Sequence, residues 1–434
     1  MLPAAGQAAL ALQFQLQRTQ RWPAHTLTEH QFRQLRELVV HAVNTVPFYR
    51  DHMRRARIFT GIGINPVSFK RWPVLTRPEV RAAGDTLLTS RIPQAHGTIE
   101  WRSTSGSTGH PIRTAMSELD GLFRAAALIR AYAWYGIDTR GKFASIRPGV
   151  TKRQHDSWGL LYAGLATTGP LATLQINEDI GLQLDWLCDE APDYLLSLGN
   201  NLRSLIVLGR ERGRRPSGLR ALLSYADRPP SDLAALAREE WKVPVHDLYS
   251  SAEFGPIALA CPEHGNLHVQ SENVMVEILD EKENDCEAGQ TGKVVITSLH
   301  NFAMPLIRYD IGDYATVGVP CRCGRTLPVI EAVQGRARNM ATDPTGRRFW
   351  PMITPYIWLE TPITQRRLVQ RTAQAIEVQY VSPRELGDDE KARIVAALAR
   401  NFRYAFDFTF TRMASIDAGP GAKFEDFLSM LDVD

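Results

Sequence analysis

What the chain has little of narrows the field first. No apolar run approaches the ~18–20 residues that a bilayer-spanning helix needs, so a helical membrane protein is not expected. The opening "MLPAAGQAALALQFQLQRTQ" starts apolar without a basic segment before it, which makes a poor secretory signal. Charge is nearly balanced, 50 Lys and Arg against 47 Asp and Glu. A net +3 is too weak a bias to attract nucleic acid or an anionic membrane. Arginine clusters such as "RERGRR" (210–215) read as solvated loops. The five cysteines are an odd number without framework spacing, so structural disulfides are not expected and a cytoplasmic enzyme is. Internal repeats and low-complexity tracts are absent. A chain of 434 residues calls for two or three domains.

What is present is an alternation. Residues 28–57 carry apolar residues at helical spacing (Phe32, Leu35, Val39, Ala42), with Thr28 or Glu29 as the expected start, and a second helix restarts after Thr76. Strand-like runs "KFASIRP", "LATLQI", "DYLLSLG" and "RALLSYA" then alternate with helical segments such as "NNLRSLIVLGRERG" and "SDLAALAREEW". This order favours an α/β domain of layered, mostly parallel sheets. From about 266 to 335 the runs "NLHVQSENVMVEILD", "GKVVITSL" and "MPLIRYDIGDYATV" predict a β-rich subdomain. Beyond it, "AIEVQYV", "EKARIVAALARNFRYAF" and "FDFTFTRM" predict a small α+β domain. The expected division is 1–335 and 336–434.

Two local patterns carry chemistry. "STSGSTG" (103–109) offers five hydroxyls and two glycines in seven residues. Glycines let backbone amides turn toward one point and hydroxyls add donors, which suits a polyphosphate as well as a solvated loop. The Gly-Lys-Ser/Thr of a Walker loop is missing. Cys261, His264, Cys321 and Cys323 form a second pattern, CxxH and CxC about 60 residues apart, with His268 able to replace His264. Three thiolates and an imidazole are a tetrahedral donor set for structural zinc, or else reduced cysteines beside a surface histidine. Cys188 and Cys286 fit no cluster.

Four stretches in order resemble the adenylate-forming superfamily of acyl-CoA synthetases, within it the phenylacetate–CoA ligase-like branch. "TSGSTGHP" is similar to the Ser/Thr/Gly phosphate loop and "DLYSSAEFGP" (247–256) to the Tyr-Gly-x-Thr-Glu motif. "IRYDIGD" (307–313) is similar to Tyr-Arg-Thr-Gly-Asp, and "GRARNM" (335–340) to the Gly-Arg-x-Asp-Asp hinge. The resemblance, which spans nearly the whole chain, implies a large N-terminal α/β domain with a small mobile C-terminal one. It also implies a two-step reaction, in which ATP and a carboxylate give an acyl-adenylate and a thiol then displaces AMP.

It further implies residue roles. Ser103, Thr104, Ser105, Gly106, Ser107, Thr108 and Gly109 would surround the β- and γ-phosphates, and Glu253 would hold Mg²⁺. Tyr249 would stack on adenine with Ser250 beside it, Asp313 would accept the ribose hydroxyls, and Arg336 would reach ribose or phosphate. Lys423, in "SIDAGPGAKFEDF", would contact the reacting carboxylate. Trp158, Tyr162, Phe254 and Gly255 would wall an acyl pocket suited to a flat aryl acid, or are plain core packing. Zinc at the cysteines follows from the same branch, some of whose members carry such a site. Coenzyme A is the expected acceptor, with a carrier protein or an amine as variants, and family analogy adds a homodimer.

The chain also departs from the pattern. Ser250 and Ala252 stand where the motif has glycine and a hydroxyl residue, His110 where this branch often has lysine, and Asp310 and Ile311 where the ribose motif has arginine and threonine. Arg338 replaces the first hinge aspartate, and "SYADRPPSDL" (224–233) lacks the usual Gly-Glu. These departures favour a second reading, a catalytically degenerate relative that binds nucleotide or a partner. Intact Glu253, Asp313, Arg336 and Lys423 favour the enzyme.

Overall fold

A computed structural model describes all residues except 1–3, 56–63, 104–111, 160–167, 352, 354, 359–360, 403, 418–424 and 432–434. The four apolar runs become the parallel strands Phe143–Arg147, Leu171–Gln175, Tyr194–Ser197 and Ala221–Tyr225. With Val245–Ser251 they form the parallel part of a twelve-stranded sheet, its edge closed by the antiparallel Arg153–His155. Helices Ile180–Glu190 and Gly199–Glu211 cover this part over a core of Leu184, Leu187, Leu202, Leu205, Ile206 and Trp241.

The β-rich segment expected from about residue 266 to 335 is present as antiparallel strands. It is hydrogen-bonded to the parallel strands as one sheet, and it begins at Gly255–Ala260. The reason is local: a tight turn after Val245–Ser251 sends the chain straight back, pairing Ser251 with Gly255. Gly255 takes φ +68°, a conformation that side chains with a Cβ rarely adopt. Leu267–Val269, Val329–Arg336, Tyr309–Val317, Thr291–Ser298 and Val274–Leu279 follow across the sheet, each antiparallel to its neighbour.

The first amphipathic segment starts earlier than Thr28 and is broken. Its helix runs Ala24–Thr45, entered from Pro23, and Val46 turns extended (φ −105°, ψ 113°) before a new helix opens at Pro47. A residue before proline is pushed out of the helical region, which accounts for the break. Thr76 opens Arg77–Ala83 through a capping box with Glu79. The helix Ala4–Thr19 docks through partners distant in sequence. Arg130 donates to the Leu16 carbonyl, Thr19 to the Glu272 carboxylate, and the Thr326 amide to the Gln20 carbonyl.

The C-terminal region has its own core, running from Ala341 to Phe427. Its four strands lie in the order Asp407–Arg412, Ala375–Val381, Gln365–Gln370, Phe427–Ser429, and Ile394, Leu398 and Phe402 of helix Asp388–Phe402 are buried at i, i+4 spacing. Among the described residues no helix is long and apolar enough to cross a membrane.

Candidate active site

Tyr249, Asp313 and Arg336 come from three separate stretches, and the fold brings them together. Asp313 and Arg336 sit directly opposite each other in the antiparallel pair Tyr309–Val317 and Val329–Arg336. Gly312, at φ +83°, turns the chain just before Asp313. The Tyr249 hydroxyl donates to Asp313 Oδ2 at 2.9 Å, and Arg336 Nε lies 3.5 Å from Asp313 Oδ1. Burial first, then the Asp313 carboxylate, pushes the Tyr249 hydroxyl well above the ordinary phenol range, so it stays a donor. Each Asp313 oxygen keeps a further lone pair for another donor.

Glu253 occupies the turn between Val245–Ser251 and Gly255–Ala260 and is only 5 % exposed. Arg77 Nη1 is 3.7 Å from its carboxylate, beyond hydrogen-bonding distance. Tyr309 completes the group; its hydroxyl is held far above its usual range by burial and then by Glu253. Ser251 Oγ accepts the Phe254 amide at 3.1 Å and closes the turn, which leaves the hydroxyl its proton and a second lone pair. Ser250 is half-buried opposite Pro256.

Asp247 was not among the residues the sequence singled out. It lies two residues before Tyr249, on the same face of the strand, while His246 and Leu248 pack on the other. Ser224 Oγ donates to its Oδ1 at 2.6 Å, and burial pushes the Asp247 carboxyl up to about 7. Residues 224–230 pass the start of helix Gly199–Glu211, where Asp227 accepts the Gly199 amide at 2.8 Å. This lies at the carboxyl ends of the parallel strands, where open α/β sheets form their crevice.

Ser103 ends the strand Ile99–Ser103, paired with Arg113 across a hairpin, so the chain on either side of "TSGSTGHP" is held by a ladder. The guanidinium of Arg113 sits 4.4 Å over the half-exposed Trp101 ring. Thr104, Ser105, Gly106, Ser107, Thr108 and Gly109 lie outside the described residues, as do Tyr162 and Lys423. Of the remaining acyl-wall residues, Trp158 and Phe254 belong to different core clusters. Trp158 packs with Tyr132, Phe143 and Tyr194 in one core cluster, whereas Phe254 packs beside Tyr309 in another. A Cβ on Gly255 would lie 2.9 Å from Cδ and Cγ of Arg124.

Beyond the end of strand Gly255–Ala260 opposite the Glu253 turn, ligand atoms of Cys261, His268, Cys321 and Cys323 all lie within 4.8 Å of one another. Cys261 and Cys321 Sγ are 3.8 Å apart, and Cys323 Sγ is 3.3 Å from His268 Nε2. Sulfurs ~2.3 Å from a tetrahedral ion would be separated by about 3.8 Å. The donor set therefore fits zinc. His264 Nδ1 stands 3.5 Å from Cys321 and 3.9 Å from Cys261. His268, fully buried, turns Nδ1 to the Leu327 carbonyl at 3.5 Å, the outer contact that orients a ligating imidazole. The geometry thus supports His268 rather than His264 as the fourth donor.

No family model matches the chain. Two curated relatives do: the phenylacetate-coenzyme A ligase of Thermus thermophilus, 24% identical over 347 residues (73% of this chain, 72% of the relative), and that of Pseudomonas putida, 23% identical over 340 residues (72% and 71%). Among solved structures, 2-hydroxyisobutyryl-CoA ligase in the postadenylation state with 2-HIB-AMP superposes with a TM-score of 0.77 at 18% identity, covering 95% of this chain and 92% of that one. The same ligase with 2-HIB-AMP and CoA in the thioesterification state gives 0.64 at 18% identity (95% and 91%). O-succinylbenzoate coenzyme A synthetase from Bacillus subtilis, with ATP and magnesium, gives 0.54 at 14% identity (75% and 68%). The fold is shared with all of them.

Proposed function

We propose that this chain, by fold and distant sequence relationship a member of the adenylate-forming acyl-CoA ligase superfamily, joins a small or aryl carboxylic acid to coenzyme A through an acyl-adenylate. The observation that carries the reading is the convergence of Tyr249 and Arg336 on the Asp313 carboxylate, alongside the buried Glu253. A carboxylate resists nucleophiles because its carbonyl is charge-rich and oxide leaves poorly. Its attack on the α-phosphorus of ATP forms a carboxyl–phosphate bond and releases pyrophosphate. The thiol sulfur then bonds the acyl carbon, AMP departs with the carbon–oxygen electron pair, and the thiol proton passes to solvent.

The residues have separable tasks in this reading. Asp313 accepts the ribose hydroxyls on its remaining lone pairs, fixed in place by Tyr249 and Arg336. The Tyr249 ring offers adenine a face, and Asp247 on the same side of the strand adds a polar edge. Residues 103–109 would supply amides and hydroxyls for the β- and γ-phosphates, and Lys423 would serve the reacting carboxylate. Glu253 supplies the oxygen ligand that Mg²⁺ requires, and the ion when bound would offset phosphate charge. Cys261, His268, Cys321 and Cys323 would hold zinc in a structural role, since four protein donors complete a tetrahedral set. Coenzyme A and ATP as substrates agree with a cytoplasmic location.

The test is ATP–pyrophosphate exchange against a panel of aryl and short aliphatic acids, with Glu253→Gln and Lys423→Ala alongside. Acid-dependent exchange lost in both variants, followed by CoA-dependent AMP release, is the expected result. A folded protein that exchanges with no acid would reject ligase activity and favour the degenerate relative, for which Ala252 is the supporting residue.

A further inference from the structure

The turn that carries Glu253 has an unusual support. Its ladder ends at the Ser251–Gly255 pair, so the carbonyls of Ala252 and Glu253 have no strand partner there. Both accept from one guanidinium: Arg124 Nη1 donates to the Ala252 carbonyl at 3.1 Å, and Nη2 to the Glu253 carbonyl. The third edge of that guanidinium is fixed as well, since Nε donates to Asp120 Oδ2 at 2.7 Å. Asp120 is buried one helical turn earlier in Glu118–Trp134, and the Arg124 side chain is 12 % exposed. The backbone of Gly255 meets the arginine stem so closely that no Cβ fits between them.

The helix beneath is itself anchored. Asn273 Nδ2 donates to the Phe123 carbonyl at 2.9 Å, and the Arg130 guanidinium donates to both Glu272 oxygens at 2.7 and 3.1 Å in a fully buried pair. Arg124 therefore reaches the turn from a fixed platform.

We propose that Arg124 is a positioning residue for Glu253. By fixing the two peptide planes that flank the Glu253 Cα, it sets the direction in which the carboxylate leaves the backbone. Its charge is matched by Asp120, whereas the guanidinium that faces the Glu253 carboxylate belongs to Arg77. The contribution of Arg124 is the planar fork, which a lysine ammonium cannot reproduce. The turn is held through its carbonyls, which requires no hydroxyl at Ala252. The inference rests on the reading of Glu253 as a Mg²⁺ ligand.

The experiment measures the Mg²⁺ concentration giving half-maximal pyrophosphate exchange in wild type, Arg124→Lys, Arg124→Gln and Asp120→Asn. In parallel, calorimetry follows how Mg²⁺ strengthens binding of a non-hydrolysable ATP analogue. Losing an outer contact of a metal ligand should raise the Mg²⁺ requirement about 10- to 100-fold in both Arg124 variants. The KM for the acid and the melting temperature of Arg124→Lys should stay near wild type, with Asp120→Asn intermediate. A wild-type Mg²⁺ requirement in Arg124→Lys overturns the proposal, as does a loss that merely follows melting temperature across the series. If wild type exchanges with no acid, the ligase reading fails separately. The calorimetric coupling then decides: weakened in Arg124→Lys it sustains the role, and unchanged or absent it removes it.

Discussion

Arg338 donates from Nε and Nη2 to a single oxygen of Glu425, at 3.1 and 2.8 Å. Arg338 stands where the family's hinge has an aspartate, and Glu425 lies two residues beyond Lys423. The substitution therefore has a charge partner in this chain. Asn339 adds a second tie, from Nδ2 to the Phe427 carbonyl at 2.8 Å. Arg367 donates to the Asp417 and Glu425 carbonyls, on either side of residues 418–424.

Breaking the Arg338–Glu425 pair should slow adenylation more than thioester formation, since Lys423 is proposed to act in the first step. Both side chains are partly exposed, so Arg338→Ala should cost only about two- to fivefold in single-turnover adenylation. The double variant Arg338→Glu with Glu425→Arg should recover most of it. A defect that the double variant does not relieve would assign the effect to something other than the pair.

Tyr249→Phe removes one donor to Asp313 and leaves the aromatic face in place. A hydrogen bond to a charged group is worth enough that kcat/KM for ATP should fall about 10- to 100-fold, with the acid KM little changed. Steady-state kinetics with ATP as the varied substrate measures this. Asp313→Asn should fall at least as far, because it removes the charge that Arg336 faces.

Asp247 makes stability depend on pH in a stated direction. Its folded-state carboxyl sits near 7 against an unfolded value of 3.8, so between these values the folded form binds more protons. Stability is then full below about 4 and declines as pH rises toward 7, the reverse of a salt-bridged carboxylate. Urea unfolding across that window should show a shallower decline for Asp247→Asn than for wild type. Equal slopes would mean that Asp247 is ionised in the folded protein.

Metal content separates the two histidines. Metal analysis of purified His264→Ala should show zinc at the wild-type level, whereas His268→Ala and Cys323→Ser should lose it and melt at lower temperature. Chelation of the wild type should lower its melting temperature similarly, because a structural zinc binds only the folded arrangement. Zinc retained by His268→Ala and lost by His264→Ala would reverse the ligand assignment.

The strands were legible because buried parallel strands read as short apolar runs, and "FASI", "LATL", "YLLS" and "ALLS" each fell where a strand stands. The pairing of Tyr249, Asp313 and Arg336 could be anticipated only through resemblance, since strand register, not spacing, makes Asp313 face Arg336. Asp247 had a local signal in the period-2 alternation of "VHDLYSS". Arg77 and Arg124 had none for the turn they reach: one sits on a short helix and the other in an amphipathic one, and Ala252 and Glu253 lie more than a hundred residues away from both. His264 was favoured by the compact CxxH, yet His268 is carried to the cysteines by a strand paired with both Gly255–Ala260 and Val329–Arg336.

The docking of helix Ala4–Thr19 has a consequence for how the chain is made. Its carbonyls and Thr19 are held by Arg130 and Glu272, and the turn after it by Thr326. During synthesis this helix leaves the ribosome before Arg130, Glu272 and Thr326, with Ala9 and Leu16 on the face it will bury. At roughly 5–20 residues per second, tens of seconds pass before Thr326 emerges. Through that interval the helix waits on residues not yet translated, so its order of synthesis and its order of docking are separated by most of the chain between them.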